Sequence, residues 1–345
     1  MDIVSDDKKR VGKNMKINKL VILATILLVV MLSGCGKDAA ESMSAPSLDV
    51  EEFEAVEVNE IVVENNISQS DNFTAKDENV QEEAENTDND ESVSADSEEA
   101  PPVDLIFFMG QSNMAGYGGD ARQAPEVPIE AGEEFRAISD PTRLYKITEP
   151  FGINECNENG LSDFKERRKG TLTSAFVNKY YEETGRKVIA VSNSVGGMAM
   201  DLWIADAFWK DSLDRINTSI KWLEDNNYNV GHIYMCWMQG ESDAAREVEP
   251  EHYKKDFYTF MDSLLECGIE QIFLIVPRRY EDGDCRIHDL QENICEVDDN
   301  FTLGTTVATD LGGDYQVDGI HFNQEALNII GEETAASVAR YTNNH

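Results

Sequence analysis

From Val103 onward, short apolar runs alternate with longer stretches whose apolar residues recur at helical spacing. A chain with this alternation folds as a parallel sheet covered by helices, the α/β class. Val103–Met109 reads as a buried strand. Leu172–Glu183 places Leu172, Ala175, Phe176 and Tyr180 on one helical face, stops at Gly185 and leads into a strand at Lys187–Ser192. Helix Asp211–Asn226 precedes strand Gly231–Trp237, and helix Glu249–Cys267 precedes strand Gln271–Val276. Helix Ile287–Val297 precedes the last strand, Thr302–Thr309, and helix Gln324–Tyr341 closes the chain. The expectation is one domain, residues 103–345, built on a five-stranded parallel sheet with helices on both faces, an ordinary size for a single α/β unit.

One connection is out of proportion. Gln111–Gly170 puts sixty residues between the first strand and the first helix, and loops of that length in compact domains carry function. It is expected to shape a cleft beside the sheet.

Upstream the composition changes. The formal net charge of the chain is −38, and half of it lies between Gly36 and Pro102, where 21 Asp and Glu face two Lys. This stretch is rich in Glu, Asp, Ser and Asn and poor in aromatics, so it cannot bury enough apolar surface to offset the entropy of ordering. It is expected to be a disordered tether, roughly 45 Å from end to end as a flexible coil. The helical pattern at Val50–Val63 is too weak to adopt. With this charge and no Lys/Arg-rich stripe elsewhere, binding to phosphate backbones, and so to nucleic acid, is set aside.

Before the tether, basic Met15–Leu20 is followed by the 13 residues Leu20–Leu32, apolar except for Thr25. That length suits the core of a signal peptide and is short for a membrane span, which needs roughly 20 apolar residues. Leu32-Ser33-Gly34-Cys35 then resembles the bacterial lipobox. The resemblance implies a signal peptide over residues 1–34, a lipid on Cys35, and a mature protein held at the extracellular face of the bacterial membrane by residues 35–102. Met15 is an alternative start, since residues 1–14 add nothing a signal needs.

The other cysteines, Cys156, Cys236, Cys267, Cys285 and Cys295, form no C-x-x-C pair and no regular spacing that points to a zinc site or disulfide framework. A bridge between Cys285 and Cys295 is open, as is a role for each as a small buried hydrophobe.

In open parallel sheets, ligands bind outside the carboxyl ends of the strands. Gly110-Gln-Ser-Asn-Met-Ala-Gly116 follows the first strand, Val195-Gly196-Gly197-Met198 the second, Trp237-Met-Gln-Gly-Glu-Ser-Asp243 the third and Asp318-Gly-Ile-His321 the last. A hydroxyl, flexible backbone amides, a side-chain amide and a carboxylate–imidazole pair thus arrive at one edge of one sheet. Those are the parts acyl transfer needs: nucleophile, oxyanion donors, base and a group to orient the base. Each has a plainer role open to it. Ser112 suits a helix N-cap, Gly196-Gly197 a tight turn, Asp318 a turn cap, His321 a polar loop, Gln239 a buried structural amide and Trp237 the core. Their convergence on strand ends is what favours chemistry.

The blocks Gly110-Gln-Ser-Asn-Met, Gly196-Gly197-x-x-Met-x-x-Trp203, Trp237-x-Gln-Gly-Glu-Ser-Asp243 and Asp318-x-x-His321 resemble, in order, those of the SGNH (GDSL-like) hydrolases, above all the sialate O-acetylesterase and acetylxylan-esterase branch. The likeness covers residues 103–341. It implies the three-layer, flavodoxin-like fold of that superfamily, an acetylated carbohydrate as substrate and no cofactor or metal. It also implies Ser112 as nucleophile, His321 as general base, Asp318 as its orienter, and an oxyanion hole from the Ser112 amide, Gly196 or Gly197 and Gln239. The superfamily has asparagine where Gln239 stands, so the longer side chain must be held by a neighbour, and Glu241 is the candidate. Met198 replaces the small hydroxyl residue usual in the branch.

Rival enzymes fit less well. An α/β-hydrolase elbow reads G-x-S-x-G, but position 114 is Met, and its serine follows a later strand. A metal-dependent deacetylase would need clustered ligands, and neither H-E-x-x-H nor paired histidines occur. A catalytically silent carbohydrate-binding lipoprotein and an O-acetyltransferase using the same residues remain as alternatives.

Overall fold

All eight residues of Val103–Gly110 are buried, as a strand in the middle of a parallel sheet must be when helices cover both faces. The computed structural model describes residues 101–156, 164–277 and 285–345. The expected signal segment, Cys35 and residues 36–100 of the acidic stretch lie outside the described residues. In chain order the elements are β1 (Val103–Gly110), β2 (Gly132–Arg136), β3 (Asp140–Lys146), α1 (Thr173–Thr184), β4 (Lys187–Ser194), α2 (Met200–Trp203) and α3 (Asp206–Asp225). There follow β5 (Val230–Met238), α4 (Glu241–Ala245), α5 (Pro250–Glu266), β6 (Gln271–Ile275), α6 (Arg286–Val297), β7 (Phe301–Thr305) and α7 (Gln324–Thr342).

The sheet runs β3-β2-β4-β1-β5-β6-β7. The five expected strands are present, mutually parallel, in the chain-order pattern 2-1-3-4-5 of a flavodoxin-like sheet. The expected five-stranded parallel sheet is nevertheless corrected to a mixed sheet of seven. The long insertion contributes β2, parallel to β4, and β3, antiparallel to β2 at the sheet edge. These two escape a search for apolar runs because Gly-Glu-Glu-Phe-Arg and Asp-Pro-Thr-Arg-Leu-Tyr-Lys are mostly polar. Charges and a proline are what an edge strand carries to discourage pairing with another chain.

Smaller differences concern ends. The helix expected from Asp211 starts at Asp206, and the last strand stops at Thr305, followed by a 3-10 turn at Val307–Thr309. Helix α1 ends as expected, with Gly185 in the left-handed region (φ 67°) and its N–H donating to the Tyr181 carbonyl at 2.8 Å.

Side chains alternate along β1. Leu105, Phe107 and Met109 join one apolar layer with α3, α5 and α6, whereas Ile106 and Phe108 join the other with α1 and α7. Helices α1 and α7 pack so closely that a Cβ on Gly331 would sit 2.4 Å from the Leu172 carbonyl oxygen. Trp237 is 1% exposed and packs against Trp203 (5.3 Å between rings) and Phe260 (5.8 Å), a core position as its plainer reading had it. None of the five cysteines among the described residues forms a disulfide.

Buried charges fasten the insertion to the domain. Glu155 accepts bonds from the Ile138 and Ser139 amides at 3.0 Å each, and from Arg215 Nη1 at 3.1 Å. Arg215 also donates to Asp211 at 2.7 Å and to the Ser192 carbonyl at 3.0 Å. Arg168 links the Phe151 carbonyl (3.0 Å) to that of Ser194 (2.5 Å), the last residue of β4.

Candidate active site

The strand order reverses beside β1, and in such sheets the crevice opens at the carboxyl ends of the strands flanking that point. Strands β1 and β5 run so close here that a Cβ on Gly110, whose φ is +144°, would lie 2.0 Å from the Met238 carbonyl oxygen. Glycine is therefore required at the residue where the chain leaves β1. The Gln111 amide donates to the Met238 carbonyl at 3.0 Å, and the chain turns tightly, with Ala115 N–H on the Gln111 carbonyl (2.8 Å). Ser112 sits in this turn, 6% exposed.

Asp318 and His321 lie on the loop before α7. The Asp318 Oδ1 accepts the backbone amides of Ile320 (3.1 Å) and His321 (2.8 Å), an Asx-type turn that fixes the loop. Its Oδ2 lies 2.7 Å from His321 Nδ1. Burial raises the Asp318 carboxyl, but the His321 ring and these backbone amides outweigh it and hold it below the usual carboxylate range. An ionised carboxylate only accepts, so Nδ1 carries a proton, and in the neutral ring the lone pair is therefore on Nε2.

The residues on either side of Ser112 tie it to its surroundings. Asn113 Oδ1 accepts the Phe322 amide at 3.0 Å, and its Nδ2 donates to Glu241 Oε1 at 2.8 Å and to the Ile320 carbonyl at 3.4 Å. Tyr117, five residues past Ser112, places its ring 5.5 Å from the His321 ring. The sequence-predicted nucleophile turn and the Asp318–His321 loop are thus brought together. Asn113 was visible in its block but had no assigned role; its only sequence signal was its place beside Ser112.

Gln239 is fully buried. Its Nε2 donates to the Met198 carbonyl at 3.1 Å and to Asp243, while its Oε1 accepts Tyr253 Oη at 3.0 Å. Gln291 completes the cluster, donating to Tyr253 Oη and to the Gln239 carbonyl at 2.7 Å each. The holder expected for Gln239 is corrected: Glu241 bonds Asn113 instead, and Asp243, Tyr253 and Gln291 hold Gln239. Asp243 stands one turn after Gln239, a local spacing, but Tyr253 and Gln291 come from α5 and α6 and left no local sign. The turn between β4 and α2 is fixed by the same carboxylate, since Asp243 accepts the Met200 amide at 3.1 Å. Gly197 in that turn has φ 75°, and Met198 is buried in the core, so its side chain does not reach the crevice.

Within the insertion, aromatic and basic side chains lie together near the His321 loop. Arg167 stands 5.6 Å from the centre of the Tyr117 ring and 5.9 Å from that of Phe164, which is 41% exposed. A separate cavity of about 750 Å³ between α6, β7 and α7 is lined by Glu292, Glu296, Asp299 and Cys295. Burial pushes the Cys295 thiol up to about 12, so it is no nucleophile there.

Four carboxyls around these networks, Glu134, Glu149, Glu241 and Asp243, are raised by burial, Asp243 to about 7. A carboxyl whose folded value exceeds its unfolded one holds an extra proton in the folded state between the two. The corresponding stability is complete below the unfolded value, 3.8 for Asp243, and is lost as pH rises through about 7. The melting temperature is expected to fall between about pH 4 and about pH 7, and less steeply in Asp243→Asn. A flat or rising melting curve over that window in the wild-type protein would contradict this assignment.

The family model described as carbohydrate esterase, sialic acid-specific acetylesterase, matches residues 102–340. No curated protein sequence matches the chain. Among solved structures, a protein of Arabidopsis thaliana is 18% identical, with 71% of this chain and 99% of that one covered and a TM-score of 0.49. NanS is 13% identical, with 71% and 98% covered and a TM-score of 0.49. Axe2, an acetylxylan esterase from Geobacillus stearothermophilus, is 15% identical, with 70% and 95% covered and a TM-score of 0.39.

Proposed function

Since the chain belongs to the carbohydrate-esterase family of sialic acid-specific acetylesterases and is a carbohydrate O-acetylesterase, we propose that Ser112, His321 and Asp318 carry out its hydrolysis. Ser112 Oγ bonds to the acetyl carbonyl carbon as its proton passes to His321 Nε2. The imidazolium then gives that proton to the departing sugar oxygen. Water, deprotonated by the same nitrogen, then attacks the acyl carbon, and the imidazolium returns the proton to Ser112 Oγ as acetate leaves. The observation that carries this reading is the 2.7 Å contact of Asp318 with His321 Nδ1, on a loop bonded to the residue next to Ser112.

Charge develops on the acetyl oxygen in the transition state. The backbone N–H of Ser112, that of Gly196 or Gly197 and the Gln239 amide are the proposed donors. Gln239 serves by exchanging its bond to the Met198 carbonyl for one to the substrate. The insertion, with Tyr117, Phe164 and Arg167 at the crevice, sets which sugar enters. The ordered signal and Leu32-Ser33-Gly34-Cys35 support a lipid on Cys35, with residues 36–102 as the tether that holds residues 103–345 off the extracellular face of the membrane.

The purified protein is expected to release acetate from acetylated oligosaccharides in a panel of defined glycans, and to take one organophosphonate per chain at Ser112. No labelling and no acetate from any sugar ester would favour the silent carbohydrate-binding alternative. Transfer of acetyl to an added sugar in preference to water would favour the acetyltransferase.

A further inference from the structure

The geometry points to Asn113 and Glu241 as a positioning pair that sets the nucleophile turn in register with the histidine loop. The inference rests on the serine mechanism proposed above. Asn113 is 2% exposed and commits both its N–H groups and its carbonyl oxygen to this task. Its Oδ1 takes the Phe322 amide, and its two N–H groups go to the Ile320 carbonyl and the Glu241 carboxylate. Ile320 and Phe322 are the neighbours of His321 on either side, and Asn113 is the neighbour of Ser112. One side chain therefore spans the two peptide segments whose relative placement fixes the distance from hydroxyl to imidazole.

Phe322 and Glu241 together set which way round the amide lies. The Phe322 N–H can only donate, so it takes Oδ1, which turns Nδ2 toward Glu241 Oε1 as acceptor 2.8 Å away. A flipped amide would set two acceptors against each other at Glu241 and two donors against each other at Phe322. Glu241 is 6% exposed, and its other oxygen, Oε2, has no hydrogen-bond partner among the described residues. Burying an acidic group for one side-chain bond costs stability, which a purely structural tie would avoid. On the other flank, the Gln111 Oε1 accepts the Ser242 amide at 3.3 Å, so the start of α4 steadies the turn from both sides of Ser112.

Loss of the pair is expected to misplace Ser112 against His321 by a fraction of an ångström to about 1 Å, which lowers turnover roughly 10- to 100-fold. The test uses the full-length protein and counts active sites by organophosphonate titration, so that turnover is expressed per competent site. Asn113→Ala and Glu241→Ala should lower both kcat per titrated site and the phosphonylation rate, with KM within about twofold of wild type. Glu241→Gln, which still offers an acceptor, should recover most of what Glu241→Ala loses. Asn113→Asp, which brings a second carboxylate against Glu241, should not recover what Asn113→Ala loses. A merely structural role would lower the number of titrated sites and leave each at full speed, and that outcome in both alanine variants overturns the proposal. If Asn113→Ala does not fold, Glu241→Ala carries the test, because both bonds from Asn113 to the histidine loop remain available in it. Absence of labelling at Ser112 in the wild-type protein would overturn the serine mechanism and the positioning pair together. Full per-site turnover in variants of a labelled protein overturns the pair alone.

Discussion

Ser112→Ala and His321→Ala are each expected to reduce acetyl-ester hydrolysis by as much as about a millionfold, and the double variant to be little worse than either alone. The reason is that the two act in one step. Without the hydroxyl there is nothing for His321 to deprotonate, and without the imidazole the hydroxyl is a poor nucleophile. What survives is catalysis by the oxyanion donors and by substrate binding, which act on an attacking water. Asp318→Asn should be milder than removal of the nucleophile. It keeps the turn, in which Oδ1 accepts the Ile320 and His321 amides, but places an uncharged amide against Nδ1. The measurement is hydrolysis of an aryl acetate and an acetylated oligosaccharide by folded variants. Wild-type rates on both substrates from folded Ser112→Ala would end the serine mechanism.

The largest loss of stability is expected from Arg215→Ala. The Arg215 guanidinium is held between Asp211 and Glu155, all three under a tenth exposed, and also donates to the Ser192 carbonyl. Removing it leaves two carboxylates buried without their counter-charge, at a cost of about 3–5 kcal/mol. For a domain of this size that corresponds to a fall in melting temperature of roughly 10 °C. The loss should be felt first in the insertion, because Glu155 also holds the turn between β2 and β3 through the Ile138 and Ser139 amides. A melting temperature within about 2 °C of wild type would show that the triple contributes little.

What the sequence determined on its own was whatever is encoded locally. The five parallel strands are legible because each is a contiguous apolar run between helical periodicities, and burial on both faces leaves that mark on the residues themselves. The contact of Asp318 with His321 is equally local, since three residues on one loop set it. The same holds for the end of α1 at Gly185, where the left-handed backbone suits glycine. The hairpin β2–β3 was not legible, because strands this polar lack the apolar run that signals a strand. Nor was the true partner of Glu241. Glu241 lies two residues from Gln239 in the chain, but its bond is to Asn113, 128 positions away, and Asn113 in turn reaches Phe322 across 209. Partners at that separation are selected by the order of strands in the sheet, which brings the ends of β1 and β5 side by side and folds the last loop over them. Hydrophobic periodicity records which face of an element is buried. Which distant polar group meets it there is decided only when every buried donor and acceptor must find a partner in the packed structure.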